Sequence, residues 1–178
     1  MRTCLQQNTR PVGVVFWITG LPKSGKTTLA QAFSEDIRAK GYATVMLDGD
    51  AFRRACGNDL GFDPKSRLLN ARRLNGMCRL LSEQGLTVVC STVSLITEIH
   101  ALNRTTIQRY VEVFLNVPVE TLRGRDPAFY NAADCGLAMI PGINQTFELP
   151  ESPEIVFEPA GGTLCLEYAI SELLKWMH

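Results

Sequence analysis

Neither sign of charge prevails in this 178-residue chain, where eighteen Lys and Arg are matched by eighteen Asp and Glu. Without an excess field, neither nucleic acid nor a membrane surface is expected as a partner. Long apolar runs are also lacking. The longest near the N-terminus, Val12 to Ile18, is far too short to span a bilayer. The opening residues Met1 to Arg10 are polar and hold no apolar stretch of the signal-peptide kind, so a cytoplasmic location is expected. Cysteines occur at Cys4, Cys56, Cys78, Cys90, Cys135 and Cys165, but no C-x-x-C pair is among them. That argues against a zinc site, and reduced thiols are expected, some of them buried as small apolar residues. Repeats, low-complexity tracts and any sign of a second domain are missing too.

What is present is ordinary globular material, with 46% hydrophobic and 20% charged residues. That is enough for one domain with its own core. Residues 1–11 are expected as a flexible arm and 12–178 as the single domain. Buried β-type runs at Gly13–Thr19, Ala43–Leu47, Leu86–Cys90, Tyr110–Val117 and Glu154–Glu158 alternate with helical patterns at Thr27–Lys40, 66–84, Thr97–Gln108, Val119–Arg125 and Cys165–Met177. Such alternation predicts an α/β fold of three layers, a central parallel sheet flanked by helices. Ligands in such sheets sit beyond the carboxyl ends of the strands, so the loops after Thr19, Leu47, Cys90 and Val117 are the ones to examine. From Asp126 to Pro153 the pattern is irregular and rich in Pro and Gly, which predicts a mobile lid over about 126–153.

The loop after Thr19 is Gly20-Leu21-Pro22-Lys23-Ser24-Gly25-Lys26-Thr27, a complete G-x-x-x-x-G-K-[ST] motif between a buried strand and a helix. Its glycines let backbone N–H groups turn toward phosphate oxygens, and the following helix adds its positive end. Gly20, Lys23, Ser24, Gly25, Lys26, Thr27 and Thr28 are therefore predicted to bind ATP. Lys26 should reach the β- and γ-phosphates and the Thr27 hydroxyl should ligate Mg²⁺. The chain is thus predicted to be a P-loop phosphotransferase.

Further motifs carry a resemblance that the phosphate loop alone does not. Leu47-Asp48-Gly49-Asp50 with Arg53, then Asp59-Leu60-Gly61-Phe62, then Arg67, Asn70, Arg72 and Arg73 resemble the L-D-G-D-N-x-R, D-L-G-F and R-x-x-N-x-R-R motifs of adenylylsulfate kinases. Val93-Ser94 falls where that family has I-S-P, and Arg125-Asp126, Gly142-Ile143, Phe147-Glu148 and Pro150 to Glu154 follow its lid pattern. The resemblance spans about residues 13–158. It implies transfer from ATP to the ribose 3′-hydroxyl of adenosine 5′-phosphosulfate, a P-loop kinase fold with a mobile lid, and it allows a homodimer.

The residues agree with that chemistry. A sugar hydroxyl needs a proton acceptor. Asp50 is the candidate, with Asp48 oriented toward Mg²⁺, since residues two apart on an extended backbone face one side. Arg53 and Arg67 are placed for the acceptor's anionic groups, and Asn70, three residues from Arg67, shares its helix face. Arg72 and Arg73 point about 100° apart and cannot both face a site. Phe62 matches the family position that stacks on the acceptor base, with core packing as the alternative. Val93 and Ser94 are expected to meet the acceptor. Ser94 matches a serine associated in the family with a phosphoserine intermediate, a step that direct in-line transfer does not need, so a hydrogen bond is its simpler role. Arg125 is expected on the nucleotide. His100 and His178 match no motif and are expected at the surface or on helices.

The lid departs from the family. Pro127-Ala128-Phe129-Tyr130-Asn131-Ala132-Ala133 stands for K-G-L-Y-K-K-A and holds no lysine. An aromatic has become Ile140 and an aspartate Asn144. These changes fall on the acceptor side. They leave two alternatives beside the leading one: a sister kinase acting on another nucleotide such as cytidine diphosphoramidate, and a catalytically silent nucleotide-binding domain.

Overall fold

Strand β1 (Val15–Gly20) is buried along its whole length. Its side chains alternate between two cores: Phe16 and Ile18 enter one cluster, Val15 and Trp17 the other. That is the two-residue period of a strand covered on both faces, as its continuous apolar sequence requires. The computed structural model describes residues 11–135, 139–141, 143–159 and 163–178. The expected arm lies outside them except for Pro11, as do Gly136 and Gly142 of the lid.

The other strands are β2 (Thr44–Asp48), β3 (Thr87–Ser91), β4 (Tyr110–Leu115) and β5 (Ile155–Phe157). They form one five-stranded sheet in the order β2-β3-β1-β4-β5, and every pair is parallel. Helix α1 (Lys26–Ala39) lays Leu29, Phe33 and Ile37 on one face of the sheet beside α7 (Leu166–Leu174). Their spacing of four is the helical period. Helix α3 (Pro64–Glu83) covers the opposite face with Ala71, Leu74 and Cys78, beside α4 (Thr97–Thr106). Deleting a ring such as that of Phe33, fully buried here, costs about 3–5 kcal/mol. The order of the sheet brings the carboxyl ends of β1, β2 and β3 together, and the site forms there.

Two helices were not expected. Helix α2 (Gly49–Ala55) begins directly after β2, with Asp48 as its cap, accepting from Ala51 N at 3.0 Å. Asp48 and Asp50 therefore do not share an extended backbone, since Asp50 sits in the first turn of α2. After α5 (Val119–Arg125), the stretch expected to be irregular contains α6 (Pro127–Asp134), capped by Asp126, which accepts from Phe129 N at 3.0 Å. A third cluster, including Leu122, Tyr130, Ala133 and Ile140, packs this part of the lid onto the domain.

Of the two places expected for His100, a helix or the surface, the structure gives the helix. It lies on α4 but is only 5% exposed. Its Nδ1 abuts the Glu112 carboxylate of β4, whose charge is matched by Arg104 Nη2 at 2.6 Å. Burial pushes the imidazole pKa down to about 4, so His100 is neutral at pH 7. The five cysteines described carry free thiols, and Cys78 and Cys90 are buried. Among the described residues, no helix is long and apolar enough to cross a membrane.

Candidate active site

The phosphate loop closes on backbone contacts that only glycine permits. A Cβ on Gly20 would lie 2.7 Å from the Leu115 carbonyl oxygen. Gly25, at φ 101°, stands in the left-handed region at the head of α1, where no side chain caps the helix. The first N–H groups of α1 are left for an anion. Lys26 is 8% exposed. Its Nζ donates to the Leu21 carbonyl at 2.7 Å and to Ser24 Oγ at 3.4 Å. Burial lowers its pKa to about 8, opposed by the charges of Asp50 and Asp48.

Asp48 joins the loop to the end of the sheet. It accepts from Thr27 Oγ1 at 3.1 Å, Ser91 Oγ at 3.0 Å and Ala51 N at 3.0 Å. Burial works to raise its pKa, but the bonds from Ala51, Ser91, Thr27 and the Asp50 backbone outweigh it and hold the carboxyl below its usual range. Thr27 and Asp48, named from sequence as metal residues, are thus in direct contact. Together they offer a hydroxyl and a carboxylate, the oxygen donors that suit Mg²⁺ beside phosphates and water. Among the described residues, no three His, Cys, Asp or Glu side chains gather as a cage.

The opposite wall comes from α2, α3 and the loop between them. Arg53 is 8% exposed. Its Nη1 donates to the carbonyls of Leu60 at 2.9 Å and Gly61 at 2.8 Å. Its guanidinium lies 4.7 Å from the Phe62 ring centroid. Phe62 is 55% exposed, so the core-packing alternative for it fails. Arg67 donates from Nε to the Phe62 carbonyl at 3.0 Å and from Nη2 to Met139 O at 3.4 Å. Burial and then repulsion from Arg53 lower its pKa, and Asp50 opposes them. Asn70, next on that helix face, is buried, and its Oδ1 has no hydrogen-bond partner among the described residues. Arg72 and Arg73 turn elsewhere: Arg72 pairs with Glu98, and Arg73 grips Asp59 in two bonds of 2.8 and 2.7 Å.

Between the walls, the loop after β3 is fixed by Thr19 Oγ1 donating to Val93 O at 2.8 Å, and Thr92 and Ser94 share a hydroxyl contact of 2.8 Å. The lid root grips the phosphate loop from outside. Lys23, at φ 65°, places Nζ 2.9 Å from Asp126, Arg125 donates to the Lys23 carbonyl at 2.8 Å, and Tyr130 donates to the Pro22 carbonyl at 2.7 Å.

One cavity of about 1680 Å³ takes in both walls. It is lined by Lys23, Gly25, Lys26, Thr27 and Thr28 from the loop, Asp48 and Asp50 from the β2 end, Arg53, Phe62, Arg67 and Asn70 from the far wall, and Val93, Ser94 and Arg125. Gly20 and Ser24, also predicted to bind ATP, are not among the residues lining it. Sequence reasoning missed Ser91, Thr92, Tyr130 and Gln145. Ser91 and Thr92 had a signal, since one ends β3 and the other follows it, where ligands collect. Gln145 had none.

The comparisons with known proteins agree. The model of the adenylylsulphate kinase family matches residues 12–158. An adenylyl-sulfate kinase of Marinobacter nauticus is 34% identical over 94% of this chain and 86% of its own length. One from Klebsiella pneumoniae is 37% identical over 92% of this chain and 83% of its own. Among solved structures, the Mycobacterium tuberculosis APS kinase in complex with AMPPNP and APS is 30% identical, covers 93% of this chain and 98% of that one, and superposes with a TM-score of 0.85. A gluconokinase from Sinorhizobium meliloti, at 19% identity and a TM-score of 0.58, shares the fold. With phosphate loop, paired aspartates and arginine wall assembled around one cavity, the chain belongs to the adenylylsulphate kinase family.

Proposed function

We propose that the protein transfers the γ-phosphoryl group of ATP to the ribose 3′-hydroxyl of adenosine 5′-phosphosulfate, giving ADP and 3′-phosphoadenosine 5′-phosphosulfate. The observation that carries this reading is the position of Asp50. Its charge acts on Lys26 of the phosphate loop and on Arg67 of the far wall. It lines the same cavity as both of these cations, and a hydroxyl entering between two nucleotides would meet it.

The residues then divide the work. The loop N–H groups and Lys26 take the ATP phosphates, with Thr28 and Arg125 beside them, while the Lys23 ammonium stays paired with Asp126. Thr27 and Asp48 would hold Mg²⁺, which would supply charge neutralisation at the phosphates. Arg53 and Arg67 face the acceptor's anionic groups, Asn70 offers its unpartnered Oδ1, and Phe62 offers a stacking face backed by the Arg53 guanidinium. Asp50 accepts the proton as the 3′-oxygen forms its bond to the γ-phosphorus. The bond to the β-phosphate oxygen breaks, and ADP leaves. Ser94 hydrogen-bonds the acceptor and forms no covalent intermediate, because positioning and charge neutralisation suffice for in-line transfer.

The test is product analysis by phosphorus NMR after incubation with ATP, Mg²⁺ and adenosine 5′-phosphosulfate. A new 3′-phosphate ester, absent with Lys26→Ala, is the expected result. Phosphate on no acceptor, or turnover confined to a cytidine diphosphate derivative, would overturn it.

A further inference from the structure

We infer that Gln145 determines which base the acceptor carries, by hydrogen-bonding the edge of a base stacked on Phe62; this rests on the function proposed above. Gln145 lines the cavity, and its Nε2 donates to the Phe62 carbonyl at 3.0 Å. The same carbonyl receives Arg67 Nε at 3.0 Å. Phe62 is thus held by two donors on its backbone and by the Arg53 guanidinium on its ring, yet over half of it stays exposed. A flat group stacked there lies beside the residue that Gln145 touches.

The contacts of its neighbours hold Gln145 in place. The Asn144 side chain ties Ile140 to the end of α6, accepting from Ile140 N at 2.8 Å through Oδ1 and donating from Nδ2 to Ala133 O at 2.9 Å. Ile143 N and Asn144 N both return to the Ile140 carbonyl, and Gln145 pairs with Pro141 in a β-bridge. Asn144 is therefore a staple that an aspartate could not copy, since the bond to Ala133 needs a donor. Ile140, which stands for an aromatic of the family's lid pattern, is 2% exposed and packed in the cluster under the lid. With an aliphatic residue there, stacking is confined to the Phe62 side, and edge recognition must supply the rest of the grip.

After the bond to Phe62, the amide keeps its Oε1 and a second Nε2 hydrogen. An acceptor beside a donor is the pattern that adenine meets with its exocyclic amine and adjacent ring nitrogen. Hypoxanthine replaces that amine with a carbonyl and would set oxygen against oxygen.

The experiment compares kcat/KM for adenosine 5′-phosphosulfate and for its inosine analogue in the wild type, Gln145→Ala and Gln145→Met. Wild type should prefer adenine. Both variants should lose about 10- to 100-fold on the adenine acceptor, the worth of a good amide–base pair, and much less on the inosine one. The KM for ATP should stay unchanged. An equal loss on both acceptors would mean that Gln145 merely anchors Phe62, and would overturn the inference, as would no loss at all. A wild type that binds ATP but turns over neither acceptor would overturn the proposed function itself, and this inference with it.

Discussion

Lys26 is the residue on which pH should act most visibly. Burial holds its pKa at about 8. A bound phosphate favours the charged form, so below about 8 the lysine is ready, and above it nucleotide must bring a proton along. ADP affinity should therefore fall as pH rises through this range, approaching roughly one decade per unit. Calorimetry in buffers of different ionisation enthalpy should show the matching proton uptake, and a flat affinity across the range would contradict it. Asp50→Asn should lower turnover by about 100-fold or more if it removes the general base, while the KM for ATP changes little. A near-normal rate would remove Asp50 from that role. Lys26 was legible from the motif alone. The contact of Asp48 with Ser91 was not, because it joins two strands that only the sheet order makes neighbours.

At the scale of elements, the lid root and the phosphate loop form one unit. Tyr130 on α6, fully buried, donates to the Pro22 carbonyl, and Asp126 both caps α6 and pairs with Lys23. Tyr130→Phe should leave that carbonyl unpartnered, costing about 1–3 kcal/mol and lowering Tm by a few degrees. It should raise the KM for ATP more than that for the acceptor, and a thermal scan beside initial rates checks both. Helix α6 was readable in principle: Asp126 followed by Pro127 is a cap and a first-turn proline. The count of Pro and Gly across 126–153 obscured it. Helix α2 is only seven residues long, too short to show a period, so Asp48-Gly49-Asp50 passed for the end of a strand. The long elements were plain because their apolar spacing repeats over several turns, as in Leu29, Phe33 and Ile37.

For the whole molecule, the parallel sheet decides where chemistry occurs. β1 lies at its centre with β3 on one side and β4 on the other, so the loop at Gly20 opens beside the ends of β2 and β3. The buried strands and their alternation with helices made this architecture visible in the sequence. The acceptor wall was visible only as motifs, since Arg53, Phe62 and Arg67 meet through backbone carbonyls that no spacing rule reveals. The central claim is that this wall and the phosphate loop hold two nucleotides around Asp50. The most direct test follows ADP release from ATP and Mg²⁺ with adenosine 5′-phosphosulfate as acceptor, beside cytidine diphosphate derivatives. Saturable turnover with the adenosine compound, lost in Asp50→Asn while ATP still binds, is the predicted result; full ATP binding with no turnover on that acceptor would contradict the account.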